Sequence, residues 1–262
     1  MYQWHVNLTG NPALPPLLLL HGWMGSSEDY TEIIESLKLQ FYCVAIDLPG
    51  HGKTEVIDGD LGYGFVNTAI GIMQLLDNLE IDICSIAGYS FGGRLALYLA
   101  LEFPERFYKV MLESASPGLA TEVDRQARVI RDWQIIDRLE VDPLADFVSD
   151  WYRQSIFIGI DKHPNFDLLI QRRITTNRAD DLIKSLERAG LGMQPYLGDR
   201  LKRHDRPISL IVGALDRKFV EINREIVRSC PQITIEIVPD CSHNVHFQNP
   251  QAWLDCLRLA HD

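Results

Sequence analysis

A serine hydroxyl reacts only when a histidine can take its proton and an acid fixes that histidine's tautomer. This chain offers such a set in Ser90, Asp216 and His243. Ser90 lies in Gly88-Tyr89-Ser90-Phe91-Gly92, the spacing of a nucleophile elbow, where a strand turns sharply into a helix. Small residues two before and two after the serine let the arms of the turn approach each other. The apolar stretch 81–87 precedes the motif, as a buried strand would, and the apolar stretch 94–101 follows, as a buried helix would. Asp216 comes just after the strand-like run 208–213, and His243 just after the run 234–238. Elbow architectures take their partners in this chain order. Glu113 also ends a strand-like run and is a rival acid. Asp240 stands too close in sequence to His243. His246 leads into a terminal helix and is the weaker choice of base. His243-x-x-His246 has the spacing of a metal pair, but no third ligand accompanies it, so neither metal nor cofactor is expected. His51 reads as a loop hydrogen-bonding residue.

Acyl and enolate chemistry builds negative charge on an oxygen, and preorganised N–H donors stabilise it. The expected donors are the amide after the nucleophile, Phe91, and one from an early loop, Trp23 in His21-Gly22-Trp23-Met24-Gly25. The side chains of both would add apolar walls.

These groups need a rigid frame. Leu17–Leu20 and Tyr42–Ile46 read as central strands buried on both faces, and 108–113, 208–213 and 234–238 as further strands. Residues 2–9 alternate weakly, as an edge strand would. Helical spacing runs over 61–79 and 250–259. Strands alternating with helices predict an α/β fold, a mostly parallel sheet covered on both faces. The rhythm breaks over 117–203, which is helical and rich in arginine. The expected organisation is a core of 1–116 and 204–262 carrying a helical cap, 117–203.

The chain has 262 residues and a net charge of −11, which argues against nucleic-acid or anionic-membrane partners. Met1-Tyr2-Gln3-Trp4-His5 is not a secretory signal, and the run 14–20 is too short to span a bilayer. Five cysteines without a C-x-x-C pair fit a reduced, cytoplasmic protein. A monomer or weak homo-oligomer is expected.

Across nearly its whole length the chain resembles the α/β-hydrolase superfamily, through His21-Gly22-Trp23, Asp47-x-Pro49-Gly50-His51-Gly52, the elbow, Asp216 and His243. A narrower resemblance is to the 2-succinyl-6-hydroxy-2,4-cyclohexadiene-1-carboxylate synthases. It rests on Gly88–Arg94, Glu113–Leu119, Gly192-Met193-Gln194-Pro195, Asp216-x-Lys218-Phe219 and His243–Phe247. The cap stretch Gly190–Pro195 departs from that family's usual Gly-Thr-Gly-Gln-Gln-Pro, Met193 being one departure. The resemblance implies an α/β-hydrolase fold and a lyase of menaquinone or phylloquinone biosynthesis. Such a lyase eliminates pyruvate from a small-molecule tricarboxylate.

A trianion needs a local basic cluster, for which the planar fork of arginine is suited. Arg94 falls one helical turn after Ser90. Among Phe91, Leu95 and Leu97 on a buried helix, it needs an anionic partner. By resemblance, Arg125 supplies a cap contact, with Arg172 or Arg173 as a third. Tyr89 either donates a hydrogen bond to substrate or packs in the core. Two other readings stand beside the lyase. One is a serine hydrolase of esters or C–C bonds, with a covalent acyl-enzyme on the same triad. The other is a non-enzymatic binding protein, which an intact triad disfavours.

Overall fold

The run Pro16–Leu20 has no polar side chain because each of its faces meets a different core. Leu18 and Leu20 join one apolar cluster, Leu17 and Leu19 another. The computed structural model describes residues 2–57 and 59–259; Met1, Asp58 and 260–262 lie outside the described residues. The strands are β1 (Tyr2–Gln3), β2 (Val6–Thr9), β3 (Pro16–Leu20), β4 (Tyr42–Ile46), β5 (Glu55–Val56), β6 (Cys84–Tyr89), β7 (Phe107–Glu113), β8 (Ile208–Gly213) and β9 (Thr234–Val238). Seven of them form one sheet in the order β2-β4-β3-β6-β7-β8-β9. Within that sheet, among the described residues, only β2 is antiparallel to its neighbour. The expected edge strand over 2–9 divides in two. His5 interrupts it, its N–H donating to Thr54 Oγ1 at 2.9 Å, and β1 pairs instead with β5.

The helices of the two faces are α1 (Thr31–Leu37), α2 (Phe65–Asn78) and α3 (Phe91–Glu102), and towards the C-terminus α9 (Arg217–Ser229), α10 (Val245–Gln248) and α11 (Pro250–Leu259). Leu95, Leu99 and Ile226 pack on the Leu18 side; Ile33, Leu37, Trp253 and Leu254 pack on the Leu17 side. The chain passes from β3 outward to β4, then returns to place β6 on the other side of β3. That reversal opens a crevice beyond the carboxyl ends of β3 and β6, the usual ligand position in an open parallel sheet. The His21–Gly25 loop and Ser90 both emerge there.

Between β7 and β8 the chain forms α4 (Glu122–Val141), α5 (Leu144–Trp151), α6 (Phe166–Thr176), α7 (Ala179–Ala189) and α8 (Gly198–Leu201). Thr121 starts α4, its Oγ1 accepting from Asp124 N–H at 3.1 Å, an N-cap bond. Leu139, Phe147, Val148, Ile160 and Leu182 make a third apolar cluster, into which Met24 reaches from the His21–Gly25 loop. Polar bonds join the same surfaces, including Asn177 Nδ2 to Met24 O at 2.8 Å. Among the described residues, no helix is long and apolar enough to cross a membrane.

Candidate active site

Ser90 carries φ 49° and ψ −103°, a strained backbone for a residue with a Cβ. The strain is imposed from both sides. Ser90 N–H donates to Glu113 O at 2.8 Å, and Gly92 N–H donates to His21 O at 3.0 Å. A Cβ on Gly92 would strike the carbonyl oxygens of Leu20 and His21, which explains that glycine. The turn therefore projects Ser90 Oγ into the crevice.

His243 Nε2 accepts from Ser90 Oγ at 2.9 Å, and His243 Nδ1 donates to Asp216 Oδ2 at 2.6 Å. An ionised carboxylate can only accept, so the Nδ1 tautomer follows, with Nε2 left free to take the serine proton. Asp216 is held in turn by the start of α9, its Oδ1 accepting from Phe219 N–H at 3.3 Å. Glu113 is committed elsewhere. It accepts from His246 N–H at 3.1 Å, from His246 Nδ1 at 2.8 Å and from Trp253 Nε1 at 3.0 Å. His243 and His246 thus serve different carboxylates. Among the described residues, no group of three or more His, Cys, Asp or Glu side chains is placed to hold a metal. His51 is buried, its Nδ1 3.1 Å from Pro49 O, and burial and the neighbouring His21 push its pKa down to about 3.

Above the serine lies a cavity of about 250 Å³. Trp23, Tyr89 and Phe91 are on its wall, and Trp151 packs on Trp23 with ring centroids 4.6 Å apart. Among the described residues, the backbone N–H groups of Trp23 and Phe91 meet no backbone acceptor. The Phe91 amide is also the first of α3, where the helix dipole favours an anion. Arg94, Arg128, Arg131 and Lys218 line the cavity, and among the described residues no carboxylate does. Partial desolvation at the cavity mouth, then Arg128 and Arg131, push the Lys218 ammonium below its ordinary pKa. Burial and Arg128 lower Arg94 to about 9, which still leaves it a cation at neutral pH. Asp132, beside Arg128 at 2.6 Å, is raised by its own burial.

The α/β hydrolase fold family matches residues 15–250. A 2-succinyl-6-hydroxy-2,4-cyclohexadiene-1-carboxylate synthase from Serratia proteamaculans (strain 568) is 32% identical over 250 residues, 95% of this chain and 94% of its own. The chain belongs to that synthase family. A Bacillus subtilis (strain 168) protein provisionally assigned the same activity is 34% identical over 246 residues, 92% of this chain and 88% of its own. The structure of MenH from S. aureus superposes with a TM-score of 0.89 at 26% identity, covering 100% of this chain and 99% of that one.

Within the synthase fold, the residues expected from sequence divide into two groups. Ser90, Asp216 and His243 come together, and Trp23, Phe91, Tyr89 and Arg94 reach the cavity. Three arginines do not. Arg125 turns back to Glu122 at 2.7 Å and to Leu119 O at 3.1 Å. Arg173 is buried away from the cavity, bound to Asp29 at 2.7 Å and Tyr152 Oη at 2.9 Å. Arg172 faces a separate hollow of about 190 Å³ between α6 and α1. The arginines that α4 brings to the cavity are Arg128 and Arg131 instead. They stand three residues apart on α4, a spacing that puts both on one face. Lys218, two residues past Asp216 in the Asp216-x-Lys218-Phe219 stretch, adds a cation from the core side. Met193, the departure from the usual cap motif, is 55% exposed and outside the cavity lining.

Proposed function

We propose that this protein is a carbon–oxygen lyase of menaquinone or phylloquinone biosynthesis. It eliminates pyruvate from 2-succinyl-5-enolpyruvyl-6-hydroxy-3-cyclohexene-1-carboxylate to give 2-succinyl-6-hydroxy-2,4-cyclohexadiene-1-carboxylate. The observation that carries the reading is a cavity whose lining, among the described residues, has four cationic side chains and no carboxylate, in a chain of net charge −11. A substrate with three carboxylates complements it. Residues 117–203 act as the cap that brings Arg128 and Arg131 over the core.

Ser90 Oγ removes the proton from ring carbon 2, next to the succinyl ketone, as its own proton passes to His243 Nε2. Asp216 stabilises the imidazolium. The negative charge moves onto the ketone oxygen, held by Trp23 N–H and Phe91 N–H. The electron pair then returns to form the C2–C3 double bond. The C3–C4 double bond shifts to C4–C5, and the C5–O bond breaks. Enolpyruvate departs and takes a proton at its methylene carbon, which returns His243 to its neutral state. No acyl-enzyme forms.

The test is pyruvate release from the enolpyruvyl substrate, followed through a lactate-dehydrogenase couple. Ser90→Ala should lose about 10³-fold or more in rate. A folded wild-type protein that releases no pyruvate would sink the reading. Turnover of p-nitrophenyl acetate that depends on Ser90 would favour the hydrolase alternative.

A further inference from the structure

The groups that hydrogen-bond Arg94 are neutral. Its Nη1 donates to Gln194 Oε1 at 2.8 Å and its Nη2 reaches Ala189 O at 3.4 Å. Its guanidinium lies over Phe91 at 5.1 Å and Phe65 at 5.8 Å. Asp132, the neighbouring acid, is engaged by Arg128. Gln194 is 1% exposed, and its Nε2 has no hydrogen-bond partner. A buried amide here gives its oxygen to Arg94 and leaves its own N–H groups unsatisfied, which is destabilising. A glutamate of the same shape would remove the orphan N–H and give the arginine an ion pair. The chain instead carries the residue that orients the guanidinium without neutralising it.

We infer that Gln194 is a positioning residue that keeps the charge of Arg94 uncommitted, so that the guanidinium can meet a substrate carboxylate. The inference rests on the reading of Arg94 as a carboxylate ligand. A guanidinium carries five N–H donors in a fixed fork. Gln194 and Ala189 take two and set its plane, while the remainder serve the cavity that Arg94 lines. α3 fixes the distance to the chemistry, because Arg94 N–H donates to Ser90 O at 2.9 Å.

Two substitutions separate this role from packing. Gln194→Glu preserves shape and adds a charge that Arg94 must satisfy. Gln194→Met preserves volume and leaves the arginine's charge free. We expect Q194E to be the more damaging, lowering kcat/KM about 10- to 100-fold, mostly through KM, with Tm at or above wild type. Q194M should raise KM only a few-fold. A packing role predicts the opposite order, since Glu is the closer match in shape. The inference is overturned if Q194M is as impaired as Q194E, if both behave as wild type, or if Q194E does not fold. Should the wild type release no pyruvate, the function reading fails by itself. The same order can then be sought in tricarballylate affinity, read from the fluorescence of Trp23 and Trp151, which line the cavity.

Discussion

The choice between Asp216 and Glu113 as the acid behind His243 can be decided by a matched pair of amide substitutions. In Asp216→Asn, the new Oδ1 can still accept from Phe219 N–H, so the start of α9 is kept. The new Nδ2 faces His243 Nδ1 as a donor. The ring proton must move to Nε2, which then cannot accept from Ser90 Oγ. The expected loss is about 10³- to 10⁴-fold in kcat, or about 4–5.5 kcal/mol of barrier, with Tm lower by only a few degrees. Glu113→Gln should do the reverse. Glu113 accepts from three donors, and a glutamine offers one carbonyl oxygen. Leaving one or two buried donors unsatisfied costs about 2–5 kcal/mol, a large part of an ordinary folding free energy. That corresponds to a Tm lower by on the order of 10 °C. Activity measured where the variant is still folded should change less than about ten-fold. The assays are thermal unfolding by circular dichroism and coupled pyruvate release. If D216N stays within ten-fold of wild type while folded E113Q loses a thousand-fold, the assignment of the acid is wrong.

Stability should depend on pH through His51. Its folded pKa of about 3 lies below the ordinary 6.5, so between those values the unfolded chain binds a proton that the folded chain refuses. Stability from this group is complete above pH 6.5 and is lost as pH falls. His21, lowered by its own burial, adds in the same direction. Tm should therefore begin to decline near pH 6.5, and His51→Asn should flatten the decline. A Tm that is flat down to about pH 5 contradicts this. Arg131 and Lys218 are exposed and lie at the cavity, so they should draw in an anionic substrate from a distance. Arg131→Gln and Lys218→Gln should each lower kcat/KM about two- to ten-fold and weaken its dependence on ionic strength. A wild-type kcat/KM unaffected by salt refutes the steering argument.

The hydrogen-bonded set of Ser90, His243 and Asp216 was legible because each member follows a strand, and apolar runs such as 208–213 and 234–238 announce strands without tertiary information. The start of β6 was less so. Ile81 and Ile83 look like strand residues, but the strand begins at Cys84, and Ile83 is 44% exposed. The helix read over 61–79 begins only at Phe65, after a 3-10 turn over Asp60–Tyr63. The placement of Arg125, Arg172 and Arg173 away from the cavity was not legible, for a different reason. A helix can be read from spacing, but the face it turns to the core depends on partners far away in sequence. Arg173 is claimed by Asp29, 144 residues earlier, which no local pattern could reveal. Arg125 could have been doubted, because Glu122 stands three residues before it, the spacing of a helical ion pair.

His243 N–H donates to Ile156 O at 3.0 Å. His243 is thus anchored through its backbone to the helical block inserted between β7 and β8, although its side-chain partners belong to the sheet loops. The chemistry is therefore not modular. Exchanging this block for that of another α/β hydrolase, or trimming it to widen the cavity, would leave an unpaired amide beside the imidazole. Such a chimera would need a replacement acceptor at that point before its substrate range could be redesigned.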